Sequence, residues 1–225
     1  GCIVNDLIDT DIDKRVIRTK GRALASSKIS IKNALILLLA LLVIGFLILI
    51  QLNFEAIILG IVITPLIALY PLAKRFFILP QFILALTYNW GCFIGWAALG
   101  SNIPFSSICI LYTSLIFWTL TYDTIYATQD ENEDKDLNLY SSTLLFGSKK
   151  VIILNIMIIT KYFLIIFYGT SLDFGILFKI LIITIFIINL IDLNFIWKNK
   201  PENASSYFSR NNYYGISLLF SIIIG

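Results

Sequence analysis

Residues 31–51 read IKNALILLLALLVIGFLILIQ, and this stretch decides the architecture. After Lys32 it carries no charge to its end, and its Leu, Ile and Val run without polar alternation. A helix that spans a bilayer needs about 20 predominantly apolar residues. A strand of this length would be unusual, and an outer-membrane strand alternates polarity along its length. Residues 55–72, 79–100, 103–122, 151–169, 174–197 and 211–225 approach or meet the same length and apolarity, which makes seven candidate spans. The whole composition agrees: 58% hydrophobic and 14% charged residues, with mean hydropathy +0.87, exclude a soluble domain. The expectation is an all-α, polytopic transmembrane helix bundle forming one domain over residues 1–225.

Charge sets the orientation. Segments 14–32, 74–75, 135–150 and 198–210 hold fifteen of the seventeen Lys and Arg, whereas the turns near Gln51–Glu55, Gly100–Pro104 and Gly169–Gly175 hold none. The alternation is unbroken across all seven spans, so the basic loops are expected on the cytoplasmic or matrix side. Lys161 and Lys179 fall within spans, where snorkelling toward a nearby end is the simplest reading. The net charge of +3 is dispersed among apolar segments, which argues against nucleic-acid binding. Cys2, Cys92 and Cys109 stand singly, without metal-ligand or disulfide spacing, and read as buried apolar thiols. The absence of histidine removes His-based acid–base catalysis and most zinc chemistry.

Against this background two acidic stretches stand out. Of fourteen carboxylates, ten fall within residues 6–13 or 123–136. Asn5, Asp9 and Asp13 are four apart and would form one stripe on a helix. Asp130 and Asp134 repeat the spacing, with Tyr126 and Asp123 one and two turns earlier on about the same face. Both stretches fall on the basic side of the bundle. Carboxylates crowded in this way need a counter-charge. Two facing pairs could hold one or two Mg²⁺, whose coordination is completed by water and substrate phosphate. The competing reading is a solvated acidic face, and it leaves the repeated spacing unexplained. Neither stretch has the Gly and Glu positions of an EF-hand loop. Arg18, Lys20 and Arg22 follow the first motif, and Lys74 and Arg75 follow Tyr70-Pro71 at a span end. Such cations could cover diphosphate oxygens, although Lys74 and Arg75 alone would read as membrane anchors.

Asn5-Asp6-x-x-Asp9-x-x-x-Asp13, followed by Arg18-Thr19-x-x-Arg22, resembles the first signature of the UbiA-type intramembrane prenyltransferase superfamily. Asp123-Thr124-x-Tyr126-Ala127-x-x-Asp130-x-x-x-Asp134 resembles its second. Tyr70-Pro71-x-x-Lys74-Arg75, with Ser142-Thr143 leading to Phe146-Gly147, is similar to the branch that prenylates 4-hydroxybenzoate in ubiquinone biosynthesis. The resemblance covers the whole chain in order. It departs at Ala23, where the family usually has Pro, and at Ser27, where Gly often follows Ser; both changes bear on loop stiffness.

The resemblance implies a nine-helix bundle, of which this chain holds about seven spans and the end of the second. The first helix and most of the second are therefore expected to be missing by N-terminal truncation. It also implies Mg²⁺-dependent transfer of a polyprenyl group from an allylic polyprenyl diphosphate to the ring of 4-hydroxybenzoate. Asp9, Asp13, Asp130 and Asp134 would hold the metal, Asn5, Arg22 and Lys74 the diphosphate, while Asp123 and Tyr126 would orient the catalytic steps. Tyr88, Trp90 and Trp96 could line a lipid-facing cavity, or simply pack. A bacterial inner membrane, with the motifs cytoplasmic, is preferred to a mitochondrial one. Other readings stay open: a haem, naphthoate or chlorophyllide acceptor, a membrane cation transporter, or an inactive remnant.

Overall fold

A computed structural model of the chain describes residues 1–100 and 102–225; Ser101, in the turn expected at Gly100–Pro104, lies outside the described residues. A short helix α1 (Cys2–Asp13) leads through a turn-rich segment to α2 (Ile31–Leu49) and α3 (Phe54–Leu69). The Ser30 and Asn53 side chains cap these two helices by accepting from the Asn33 and Ala56 amides, satisfying first-turn donors that have no helical partner. Beyond Leu69 the backbone tightens into a 3₁₀ turn over Tyr70–Arg75, with Pro71 near its start, so the expected span 55–72 does not end as α-helix. Next come α4 (Pro80–Asn89), α5 (Gly91–Leu99) and α6 (Phe105–Ala127). The span expected at 79–100 is divided at Trp90, whose N–H reaches back only three residues, to the Thr87 carbonyl.

The second acidic stretch is not one continuous helix either. A 3₁₀ turn over Thr128–Asp130 separates α6 from α7 (Glu131–Asp136). Then follow α8 (Ser142–Phe146), α9 (Lys150–Ser171), α10 (Ile176–Ile191) and α11 (Ala204–Ile224). A π-helical turn over Asp192–Trp197 ends the tenth helix. Among the described residues six helical segments are long and apolar enough to cross a bilayer. The last helix is also long enough, but its first half carries Arg210, Asn211 and Asn212. These helices make the protein an all-α polytopic membrane bundle.

The centre of the bundle is α6, which packs along α9, α4 and α11. One core joins Ile125 of α6 to Leu154, Ile158 and Ile165 of α9, Ile182 of α10 and Tyr207 of α11. A second joins Ala85 and Phe93 to Ile108, Tyr112 and Ile116. Lipid is as apolar as these side chains, so close fit and interhelical hydrogen bonds do the associating. Asn89 Nδ2, for example, donates to Thr119 Oγ1 (2.8 Å) and to the Leu115 carbonyl (3.2 Å). Gly169 lies against the Phe178 ring so closely that an added Cβ would run into it. The outer faces are Ile- and Leu-rich, and α2 buries only Ala34.

Two sequence expectations fail here. Lys161 does not snorkel: it lies midway along α9, 1% exposed, where its amine is too far from either end to reach water. Cys2 is exposed rather than buried, because it opens α1 outside the cores, whereas Cys92 and Cys109 are half-buried free thiols.

Candidate active site

The stripe expected on the first helix is real. Asp9 and Asp13 are buried on α1, and half-buried Asn5 lines a cavity one turn before them. The 3₁₀ turn brings two cations onto Asp9: Lys74 Nζ lies 2.6 Å from Oδ2, and Arg75 Nη2 lies 3.2 Å from Oδ1 while also donating to the Ile8 carbonyl. Arg22 Nη1 spans Asp13 (3.0 Å) and Asp6 (3.1 Å). Arg18 crosses to the second motif. It grips Asp130 through Nε (2.7 Å) and Nη2, and Nη1 donates to the Tyr126 hydroxyl (2.9 Å). Hydrogen bonding to Asp130 holds the Arg18 pKa above its ordinary value, so this tie stays charged.

The structure thus brings Asp9, Asp13, Asp130, Asn5, Arg22 and Lys74 to one end of the bundle, but it faces each of these three carboxylates with a cation. Among the described residues no three acidic, Cys or His side chains gather into a ready metal cluster. The donor set still fits a hard divalent cation: it is all-oxygen and it comes from both motifs. Asp134 and Asp123 line the same cavity as Asn5 and Lys74, a space of about 160 Å³ completed by Tyr70, Gln81 and Tyr140. Among the described residues neither Asp123 nor Asp134 forms an ion pair. Among the described residues no carboxylate lies midway along α2, α3, α6, α9, α10 or α11, the position expected for the site of a transported cation.

Three hydrogen bonds shape the cavity. The Tyr140 amide donates to the Lys74 carbonyl (2.8 Å), drawing the 137–141 loop onto the 3₁₀ turn. The Ser142 amide donates to Gln81 Oε1 (3.0 Å), and its hydroxyl pairs with Thr124 (2.7 Å), beside Asp123. Gly147 ends α8 at φ +47° and ψ −129°, a backbone conformation suited to glycine, which accounts for the Phe-Gly pair.

A larger cavity of about 690 Å³ lies deeper, between α4, α6 and α11. It is lined by Tyr88, Trp118, Tyr122, Phe208 and Asn211, among others. Of the three aromatics proposed from sequence only Tyr88 lines it. Trp90 and Trp96 donate to the Leu59 and Ile103 carbonyls and pack in the second core. Sequence reasoning missed Asp6, Gln81, Tyr140, Trp118 and Phe208. Asp6 stood inside the quoted motif but off its stripe; the others carry no local signal.

Comparison with known proteins agrees with this geometry. The model of the UbiA prenyltransferase family matches residues 1–218. A Francisella tularensis subsp. novicida protein described as 4-hydroxybenzoate octaprenyltransferase is 36% identical over 227 residues, covering all of this chain and 78% of that one. A mitochondrial 4-hydroxybenzoate polyprenyltransferase of Drosophila pseudoobscura pseudoobscura is 44% identical over 147 residues, 65% of this chain and 37% of its own. Among solved structures, a UbiA homologue from Aeropyrum pernix K1 in its apo form superposes with TM-score 0.81 at 23% identity, covering all of this chain and 83% of that one. A digeranylgeranylglyceryl phosphate synthase superposes with TM-score 0.70 at 22% identity, covering 99% and 79%. At those identities the likeness is one of fold.

Proposed function

This chain belongs to the UbiA prenyltransferase family, and we propose that it transfers a polyprenyl group from an allylic polyprenyl diphosphate to the ring of 4-hydroxybenzoate. One observation carries the reading: a cluster of cations and carboxylates lies at one end of the bundle, and a cavity lined mostly by aromatic and apolar side chains lies deeper along α6. A charged head and a lipid-soluble tail have separate places there. The acceptor is proposed from the names of the relatives.

Asp9, Asp13, Asp130 and Asp134 would hold Mg²⁺, with Asn5 beside them. Bound there, Mg²⁺ supplies Lewis-acid neutralisation of the diphosphate. Arg22, Lys74, Arg75 and Arg18 already point into the cluster, and they exchange their carboxylate partners for diphosphate oxygens. As the allylic C–O bond breaks, its electron pair leaves with the diphosphate, where these cations stabilise the growing charge. The ring carbon ortho to the phenol attacks the allylic carbon, and that ring carbon loses its proton. Asp123 lines the smaller cavity without an ion pair and orients the acceptor for these steps. Tyr126, fixed by Arg18, closes the site on the α6 side. Tyr122 and Phe208, whose rings pack edge to face, keep water from the allylic cation and present π faces, while Trp118 lies deeper along the cavity. The basic-loop pattern supports a cytoplasmic side for both motifs, and the membrane in this reading is a bacterial inner membrane.

The test is transfer from octaprenyl diphosphate to radiolabelled 4-hydroxybenzoate in membranes, with and without Mg²⁺. Mg²⁺-dependent product that falls about 10²–10³-fold in both Asp9→Asn and Asp130→Asn is the expected result. Product unaffected by both substitutions would overturn the site. No product from the wild type with this acceptor, but product with another ring, would overturn the acceptor alone.

A further inference from the structure

Lys161 is a buried amine in the middle of a span, roughly 15 Å from either end of its helix. Among the described residues it has no ion-pair partner within 4 Å. A charge-capable group at this depth is costly, and its partners show what holds it. Nζ donates to Asn189 Oδ1 (3.0 Å), and Asn189 Nδ2 donates to the Tyr207 hydroxyl (2.9 Å). Asn211 Nδ2 donates to the Tyr207 carbonyl (2.9 Å), and Asn211 Oδ1 accepts from Trp118 Nε1 (3.0 Å). The circuit closes where Lys161 Nζ stands 4.9 Å from the centre of the Trp118 ring. Tyr162 adds a second ring at 4.1 Å.

Five residues from α6, α9, α10 and α11 therefore form one closed loop of contacts, with one link running through the Tyr207 backbone carbonyl. An indole N–H can only donate and a carbonyl can only accept, so Asn211 cannot flip without breaking both of its bonds, and Asn189 bridges the Lys161 amine and the Tyr207 hydroxyl. Two members, Trp118 and Asn211, line the 690 Å³ cavity; the other three stand behind its wall. Gly215 leaves open the side of the cavity facing Trp118, where an added Cβ would sit 3.7 Å from the indole. Trp118 lies about 14 Å of helix from the end of α6, so the head of a prenyl donor bound at the charged end does not reach it, whereas a long tail does.

We propose that Lys161 is a positioning residue: through the circuit it locks Trp118 as a fixed wall of the tail cavity, and so favours long prenyl donors over short ones. The selectivity rests on the prenyl-transfer reading; the coupling of Lys161 to Trp118 does not. Without Lys161 the Asn189 amide is free to turn, the indole loses the amine that stands against its ring, and the wall loosens where only a long tail touches it.

The experiment compares wild type, Lys161→Met and Trp118→Phe with octaprenyl and geranyl diphosphate as alternative donors. Each substitution should lower kcat/KM for the octaprenyl donor about tenfold, mainly through KM, with the geranyl donor within about twofold of wild type. General misfolding would lower both donors alike, so equal losses overturn the selectivity. The second arm uses tryptophan emission of the purified protein in detergent, which requires no turnover. Lys161→Met should shift the spectrum when Trp118 is present and leave it unchanged in the Trp118→Phe background. No shift with Trp118 present, or the same shift in both backgrounds, overturns the coupling. A wild type inactive with both donors would count against prenyl transfer and against the selectivity, while emission still decides the coupling.

Discussion

Removing either partner of the Lys74–Asp9 pair should have unequal consequences, because the two ends of the pair are buried unequally. The Asp9 side chain is 0% exposed, whereas Lys74 is 28% and Arg75 39% exposed. At 2.6 Å, with an effective dielectric near 20, the Lys74–Asp9 attraction is about 6 kcal/mol before desolvation, which offsets most of it. Lys74→Met strands a buried carboxylate. Orphaning a buried charge costs about 3–5 kcal/mol, and because Arg75 still holds Oδ1 we expect about 2–3 kcal/mol. Asp9→Asn strands only cations that can turn to water, for about 1 kcal/mol or less. At roughly 2–4 °C per kcal/mol for a chain of this size, Tm should fall by about 4–12 °C in Lys74→Met and by no more than about 4 °C in Asp9→Asn. The double variant should be no less stable than Lys74→Met alone, since the orphaned charge is gone. The assay is intrinsic-fluorescence melting in one detergent at one pH. Asp9→Asn proving the more damaging of the two would refute the reasoning.

Arg18→Lys keeps the charge but cannot grip both Asp130 oxygens and the Tyr126 hydroxyl together, so transfer should fall about tenfold or more with little change in Tm; steady-state kinetics beside a melting curve checks this. Gly169→Val would drive a side chain into Phe178 and should cost about 1–3 kcal/mol, read as a lower Tm, although the site is far away. Asn89→Leu removes the ties to Thr119 and Leu115 and should cost about 0.6–2 kcal/mol, measured in the same way.

Much was legible in the chain itself. Uninterrupted apolar runs such as 31–51 can satisfy their backbone in lipid only as helices, and the placement of Lys and Arg set their alternation. The spacing Asn5–Asp9–Asp13 determined a stripe, because a helix turns by 3.6 residues. Those are local properties, written in consecutive residues. The tertiary structure alone decided that Arg18 reaches Asp130 more than a hundred residues away, that Arg22 spans Asp6 and Asp13, and that Gln81 and Tyr140 meet Asp123 around one cavity. It also decided that Trp118 rather than Trp90 or Trp96 faces the larger cavity, since hydrophobicity is the same on every side of a lipid-embedded helix and marks no inward face. For Lys161 sequence reasoning had the depth wrong in its effect: a lysine inside a span reads as an anchor until the acceptor and the rings that hold it, Asn189, Trp118 and Tyr162, are brought alongside by packing. Periodicity assigns residues to a helix face; only the neighbouring helices decide what that face touches.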